Sequence, residues 1–277
     1  GIVVPETLDT ADLGSRIYLQ KCASCHDHPQ NNIPPRASLA YRSPEAIEYA
    51  LLQGAMKPMA QGLSADEVEA VVVMLAGRKP KPLPDVMATA CTSPAPALAV
   101  APDDWTNNGG GHTNTRFRDY GWLDGGNAAR LKLKWSFGYP GGASGPATLA
   151  GDRVFLPAGY GYVLSLDAGT GCVRWAFQRP GRVVRSLAVS GPTGTQVRPA
   201  VYFGDDKSFV TAVDAESGKE LWNVRVEENV LSRVTGSPSV HDGKVLVPVS
   251  SIEDPMTHVA THACCTSRGG VVALDAA

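Results

Sequence analysis

The spacing of apolar residues along the chain changes from a helical period to short runs that end in turns. The helical period is clearest in LSADEVEAVVVMLAG (63–77), where Ser64 and Glu67 have the spacing of a capping box that begins a helix. The apolar stripe of that helix is Val68, Val71, Val72 and Leu75. SRIYLQKCASCH (15–26) also predicts a helix, followed by a turn. These two segments are therefore predicted to be helical.

The segment KPKPLPDVMATACTSPAPALAVAP (79–102) has neither a helical nor an alternating period of apolar residues. It is rich in Pro and Ala and has the composition of a linker. Apolar residues make up 43% of the 277 residues, which is enough for buried cores on both sides of such a linker. Gly 29 and Pro 21 suit many tight turns between short strands. The predicted division is a first domain over 1–80, a linker over 81–102 and a second domain over 103–277.

The second domain contains an internal repeat. LSLDAGTGCVRWAF (164–177) and TAVDAESGKELWNV (211–224) align at a spacing of 47 residues, LKLKWSF (131–137) repeats the end of the motif, and VVALDAA (271–277) begins another copy. In D-A-x-T/S-G, the Asp accepts backbone hydrogen bonds and the Gly supplies positive φ for a tight turn. The Trp that follows is predicted to pack between neighbouring four-stranded sheets. Period and content together predict a β-propeller.

The motif CASCH (22–26) carries the most specific chemistry of the first domain. Cys22 and Cys25 have the spacing that attaches one haem through two thioethers, and His26 would then ligate the iron. A redox C-x-x-C motif or half of a zinc site would use the same cysteines. The first would need a preceding hydrophobic strand and the second another cysteine pair at workable spacing, and the sequence shows neither.

A sixth iron ligand is expected from the loop before Ser64. With a haem motif, a Met-bearing loop and a C-terminal helix, this part resembles the class I cytochromes c, and the resemblance favours Met56, with Met59 as the alternative. His28 is expected to be a solvated loop residue. Arg36 is a candidate partner of a haem propionate, or a surface arginine.

Charge and hydropathy exclude two classes of function. The net charge of −2 predicts no nucleic-acid partner. No run of 18 apolar residues occurs, so no transmembrane helix is expected. Residue 1 is Gly and no secretory signal pattern follows, so the chain is expected to be processed, trimmed or incomplete.

The segment THACCTSRGG (261–270) places two cysteines side by side. Consecutive Cα atoms are about 3.8 Å apart, closer than in an ordinary disulfide. Cys264 and Cys265 are therefore two free thiols, the ends of two different bridges, or one strained ring.

The repeat is similar to the tryptophan-docking motif of the pyrroloquinoline quinone (PQQ) alcohol dehydrogenases, A-x-D-x-x-T-G-x-x-x-W. AVDAESGKELW (212–222) matches with Ser217 at the Thr position, and residues 165–175 match except at Ser165. HACCTSRGGVVALDA (262–276) places adjacent cysteines ahead of a repeat, as that family does, and DWTNNGGGHTNTRF (104–117) resembles its propeller entry. With the N-terminal cytochrome, the chain most resembles the polyvinyl alcohol dehydrogenase group of quinohaemoproteins.

This resemblance implies a site around the adjacent cysteines. Cys264 and Cys265 would form a vicinal disulfide that makes the floor of the PQQ site and faces the propeller axis. Arg268 would bond the carboxylates or the C5 oxygen of the quinone, and Glu253 would lie at the rim of the cofactor. Ca²⁺ would polarise the quinone, a carboxylate would act as base on the alcohol, and electrons would leave singly to haem c. The base, the Ca²⁺ ligands and the Trp that covers the quinone are expected from later blades, beyond residue 277.

With haem and ring assigned in this way, Cys91 and Cys172 remain. Cys172 occupies the position that Lys219 has in the next repeat. A disulfide between Cys91 and Cys172 is predicted, and the alternative is two independent thiols. The compartment is then periplasmic or extracellular. The family's propeller has eight blades, so this chain is expected to be an incomplete eight-bladed-type propeller behind an all-α class I cytochrome c domain, inactive by itself.

The predicted function is a quinohaemoprotein alcohol dehydrogenase that oxidises a secondary or polymeric alcohol with PQQ and Ca²⁺. Its electrons would pass through haem c to a soluble cytochrome or another acceptor. The alternative is a haem c electron carrier fused to a non-enzymatic propeller that binds a partner.

Overall fold

A computed structural model describes residues 8–29, 33–110, 114–119, 121–142, 145–180, 182, 184–254 and 264–277. Their contacts divide them into two compact units. The first holds the described residues up to Pro84, with Asp254 and Cys264, and the second holds those from Asp85 to Glu253 and from Cys265 to Ala277. The first unit is all-α and the second all-β, in the predicted order.

The described part of the first unit contains the helices α1 (Leu13–Lys21), α2 (Ala23–His26), α3 (Arg36–Leu39), α4 (Pro44–Leu52) and α5 (Ala65–Ala76). The capping box of Ser64 and Glu67 begins α5, as predicted, and the left-handed Gly77 ends it. Its predicted stripe is buried and packs against α1 and α4. In place of the turn expected after α1, the short helix α2 forms because the amides of Cys25 and His26 both donate to the carbonyl of Cys22.

The described strands of the second unit form antiparallel four-stranded sheets. The first two sheets are β1 (Thr148–Ala150), β2 (Arg153–Ala158), β3 (Tyr162–Asp167) and β4 (Val173–Gln178), then β5 (Val184–Ser190), β6 (Ala200–Asp205), β7 (Phe209–Asp214) and β8 (Glu220–Arg225). The third sheet has β10 (Ser239–His241), β11 (Lys244–Ser251) and β12 (Gly270–Asp275) in that order, and β9 (Ser232–Arg233) pairs with the end of β11. Each of the first two sheets is thus a meander of sequential strands, which is how a propeller blade is built.

The repeated Trp residues connect each repeat to the next one. The indole Nε1 of Trp135 donates to the carbonyl of Ala168 at 3.0 Å, and that of Trp175 donates to the carbonyl of Ala215 at 2.9 Å. Trp222 continues the series toward Ala276 at 3.4 Å. The predicted role of these Trp residues as packing elements is confirmed.

The glycine of the repeat is required by the same contact. Gly171 and Gly218 have φ of 78° and 71°, and a Cβ added at either position would lie 2.7 Å from the indole of Trp135 or Trp175 respectively. A side chain there would meet both an unfavourable backbone region and the docked ring. The D-A-x-T/S-G turn and the Trp therefore form one structural unit.

Residues 85–102 belong to the second unit. Val86 and Leu98 are buried in its hydrophobic clusters, and Ala90 forms a parallel bridge with Val173. Cys91 and Cys172 form a disulfide with a Cα–Cα distance of 5.0 Å, as predicted. The division into 1–80, 81–102 and 103–277 stays a prediction. Within the described residues, no helix is both long enough and apolar enough to cross a lipid bilayer.

Candidate functional site: a haem-attachment turn and a vicinal disulfide

The CASCH motif lies where α1 gives way to α2, so a helical turn presents both thiols. Cys22 and Cys25 are free thiols; Cys22 packs against the hydrophobic core of the unit, and Cys25 is exposed. Burial raises the pKa of the Cys22 thiol. Two reduced thiols on one helical turn, in a chain that bonds its other cysteines, fit covalent haem attachment.

The imidazole of His26 is buried and is held in one orientation by a backbone carbonyl. The imidazole is 7% exposed, and its Nδ1 lies 2.8 Å from the carbonyl oxygen of Pro34. Because a carbonyl only accepts, Nδ1 carries a proton, and Nε2 is the nitrogen whose lone pair a metal would bind in the neutral ring. A backbone carbonyl that fixes the tautomer and orientation of a ligating His is a common feature of metal sites. His26 therefore fits the role of iron ligand.

The two candidate Met ligands differ in burial. Met56 is half-buried and packs against the same hydrophobic core as Cys22, whereas Met59 is 50% exposed. This difference supports Met56 over Met59. The exposure of His28 agrees with its expected place in solvent.

Arg36 is engaged within the protein. Its Nε lies 3.2 Å from Oδ1 of Asp27, and its guanidinium carbon lies 5.8 Å from the centre of the Tyr18 ring. Tyr18 donates to the same Asp27 oxygen at 2.8 Å, and its burial raises the pKa of its hydroxyl. The ion pair joins Asp27, which follows His26, to Arg36, the first residue of α3. Pro34, whose carbonyl contacts His26, lies in the segment between these two residues. A propionate contact of Arg36 stays a prediction.

The adjacent cysteines form the predicted ring. Cys264 and Cys265 are both disulfide-bonded. Because Cys91 and Cys172 are bonded to each other and the remaining two of the six cysteines are free thiols, Cys264 and Cys265 are bonded to one another. Both residues are exposed in this chain.

Glu253 lies beside the ring. A carboxylate oxygen of Glu253 and the Sγ atoms of both cysteines lie within 4.8 Å of one another. The carboxylate is 1% exposed and accepts from the backbone amides of Thr266, at 2.7 Å, and Ser267, at 2.8 Å. The Ser267 hydroxyl and these two amides lower the pKa of Glu253 to about 2. The acid predicted at the cofactor rim is thus brought to the cysteines, although a contact with PQQ stays a prediction.

Arg268 is exposed next to the same segment, and its Nη1 lies 3.4 Å from the carbonyl oxygens of Cys265 and Ser267. An exposed disulfide beside an exposed guanidinium fits one side of a planar ring that carries carboxylates. A role of Arg268 in binding the quinone remains a prediction.

Sequence reasoning missed three participants: the Pro34 carbonyl, the Asp27 carboxylate, and the clamp that Thr266 and Ser267 form on Glu253. A weak signal existed for Asp27, which directly follows the motif. For Pro34 there was none, because a backbone carbonyl leaves no residue-specific mark in a sequence. Two hydroxyl residues directly after the cysteines were the available signal for the clamp.

Comparison with known proteins agrees with this organisation. The PQQ_2 family model, described as outer membrane protein assembly factor BamB, matches residues 121–277, and a model described as cytochrome C oxidase, cbb3-type, subunit III matches residues 9–74. A polyvinylalcohol dehydrogenase from Pseudomonas sp is 35% identical over 95% of this chain and 44% of its own length. The polyvinylalcohol dehydrogenase of Sphingopyxis sp. (strain 113P3) is 34% identical over 95% of this chain and 43% of its own. The chain thus spans less than half the length of these relatives.

Among solved structures, a europium-containing methanol dehydrogenase matches with a TM-score of 0.51 at 24% identity, over 64% of this chain and 30% of its own. At that identity, the likeness shows the fold: the described sheets match part of a quinoprotein propeller. The tryptophan-docking repeats lie within the residues that the first model matches, and the CASCH motif lies within those that the second model matches. The chain therefore belongs to the PQQ_2 repeat family and is a homologue of the polyvinyl alcohol dehydrogenases, with a cytochrome c domain N-terminal to a PQQ propeller-type region.

Proposed function

We propose that this chain forms the haem-carrying and ring-carrying part of a PQQ-dependent quinohaemoprotein alcohol dehydrogenase. The observation that carries the proposal is the Cys264–Cys265 disulfide ahead of a docking repeat, in a chain that also holds a haem-attachment motif. When bound, PQQ takes two electrons from the alcohol and haem c accepts them singly. The proposed substrate class, a secondary or polymeric alcohol, is supported by the similarity to the polyvinylalcohol dehydrogenases at 35% and 34% identity.

The residues of this chain would hold the haem. Cys22 and Cys25 supply the thioethers, His26 supplies Nε2 while Pro34 holds its Nδ1 proton, and Met56 supplies a thioether sulfur. A Met ligand raises the reduction potential, which suits a haem that receives electrons. We propose that Arg36 stays paired with Asp27 when it meets a propionate.

At the quinone, the ring would form a rigid, polarisable floor and Arg268 would bind the carboxylates of PQQ. The relatives are longer than the part that this chain matches, and we propose that Ca²⁺ and its ligands, the general base and the covering Trp belong to that further part. A vicinal ring is strained, and strain of this kind collects at functional sites. The disulfides, together with the cytochrome c domain, support a periplasmic or extracellular location.

The test is reduction of haem by substrate. The full-length protein is reconstituted with PQQ and Ca²⁺, and the haem absorption bands are followed after addition of a secondary alcohol or polyvinyl alcohol. We expect haem reduction that depends on PQQ, and none with Cys264→Ser/Cys265→Ser. Reduction by ascorbate with no response to any alcohol would instead favour an electron carrier fused to a partner-binding propeller.

A further inference from the structure

The pairing of β11 with β12 ends near the ring, and a carboxylate, rather than a strand, binds the backbone amides of the two residues that follow the cysteines. The last pair between β11 and β12 is Val249 with Gly270. Beyond it, the amides of Thr266 and Ser267 donate to Oε1 and Oε2 of Glu253. The Thr266 hydroxyl donates to Oε1 at 3.2 Å, and the Ser267 hydroxyl donates to Oε2. Each oxygen therefore receives at least two hydrogen bonds.

Glu253 itself is held in place. Its side chain is 1% exposed, and its own amide donates to the Ser251 hydroxyl at 3.1 Å. Burial of an ionised carboxylate is unfavourable unless donors compensate for the lost water. The four donors supply that compensation, so the side chain has one orientation and is an anion at neutral pH.

The amide that Glu253 captures is covalently linked to the ring. The N–H of Thr266 and the carbonyl of Cys265 belong to the same planar peptide unit. Holding that amide therefore fixes the peptide plane that is attached to the eight-membered ring at Cys265. The carbonyl of this plane is also a contact of Arg268 at 3.4 Å. One carboxylate thus orders both groups that the proposed function assigns to the quinone.

We infer that Glu253 is a positioning residue that sets the orientation of the Cys264–Cys265 ring and keeps the ring oxidised. The role in orientation rests on the proposed function of the ring, whereas the role in oxidation does not. The negative charge within 4.8 Å of the Sγ atoms disfavours thiolates at Cys264 and Cys265. Opening the ring also releases the peptide that the carboxylate binds.

The test measures reduction of the ring by dithiothreitol in the full haem-loaded chain. Two electrons and two protons pass from the dithiol to the disulfide, which leaves oxidised cyclic dithiothreitol and two thiols at 264 and 265. These thiols are alkylated and counted by mass spectrometry, and the peptides of Cys91 and Cys172 report a second disulfide in the same sample. Glu253→Gln removes the charge and replaces one accepting oxygen with a donor. The control Glu228→Gln removes the same charge from a side chain that is 83% exposed.

We expect Glu253→Gln to raise the equilibrium constant for reduction of the ring about tenfold, which is about 30 mV for a two-electron couple. Glu228→Gln should leave it within about twofold, and the Cys91–Cys172 disulfide should be unchanged in both variants. Ser267→Ala removes only one hydroxyl donor, so it should retain the fold and shift the constant in the same direction by about threefold. A ring that is reduced as in wild type in both Glu253→Gln and Ser267→Ala would overturn the inference.

Binding of PQQ to the full-length protein separates this inference from the proposed function. Weaker binding in Glu253→Gln and in Cys264→Ser/Cys265→Ser supports both. Unchanged binding in both variants, with the tenfold shift in reduction present, refutes the quinone floor and upholds the role of Glu253 in keeping the ring oxidised. Weaker binding in the double Ser variant alone, with no shift in reduction for Glu253→Gln, overturns the positioning role and leaves the proposed function standing.

Discussion

The CASCH turn and the propeller-type region use cysteine in opposite ways. Cys22 and Cys25 form no disulfide and lie on a helical turn beside a core, whereas the other four cysteines are bonded. The two disulfides also differ from each other in sequence separation: Cys91 and Cys172 are 81 residues apart, whereas Cys264 and Cys265 are adjacent. Only the long-range bond restricts the unfolded chain strongly. The three cysteine pairs thus differ in spacing and in bonding, and we propose a different role for each: haem attachment, stability and the quinone site.

The largest effect is expected at the CASCH turn. Cys22→Ser/Cys25→Ser removes both thiols, so we expect complete loss of covalently attached haem. The measurement is the haem spectrum after acid–acetone extraction of the denatured protein. Ser24→Ala, inside the same motif, is the control and should retain attached haem at the wild-type level. Attached haem in the double variant would show that the motif does not supply the thioethers.

The disulfides are compared next. Cys91→Ser/Cys172→Ser should lower the free energy of unfolding by about 2–4 kcal/mol, because the bond closes a long loop of the unfolded chain. The Cys264–Cys265 bond closes no such loop, so Cys264→Ser/Cys265→Ser should lower the free energy of unfolding by less than about 1 kcal/mol. Urea unfolding followed by far-ultraviolet circular dichroism gives both values. Equal losses in the two variants would contradict a stabilising role confined to the long-range bond.

A smaller, spectroscopic effect separates the two Met residues. Met56→Ala should abolish any sulfur–iron charge-transfer band at the red end of the spectrum and lower the haem potential, because a Met ligand raises that potential. Met59→Ala, the matched control, should leave both unchanged, since this side chain is half exposed. The reverse result would assign the sixth position to Met59.

The smallest effect concerns acid, because a carboxylate holds the turn beside each disulfide. Asp167 accepts from the amides of Gly169 and Thr170, and the Arg174 guanidinium lowers its pKa to about 2; Glu253 has a pKa of about 2 as well. Since both pKa values lie below the usual 3.8 and 4.5, the unfolded chain binds more protons in this range. The stability from these groups is complete above about pH 5 and is lost as pH falls toward 2.

Asp167→Asn tests the sign. It should destabilise the chain at pH 7 and reduce the decline of the unfolding free energy between pH 5 and pH 3. Asp119→Asn, a change of the same kind at an exposed carboxylate, should leave the decline as in wild type. A decline of the same size in Asp167→Asn would show that Asp167 does not contribute to it.

Local patterns were sufficient for much of this protein. The capping box of α5, its buried stripe and the D-A-x-T/S-G turns follow from residues within a few positions of one another. For the same reason, CASCH and the adjacent cysteines stood out in the sequence. The prediction of a Cys91–Cys172 disulfide succeeded because the number of cysteines is small, not because the sequence shows that the two residues meet.

What only the tertiary structure decided are contacts made by backbone groups and by residues distant along the chain. The composition of residues 85–102 hides the burial of Val86 and Leu98, because apolar residues on an irregular segment have no period. The Pro34 carbonyl on His26 and the hold of Glu253 on Thr266 and Ser267 depend on where the chain returns after a loop. A sequence by itself determines which groups can bond, and folding determines which of them meet.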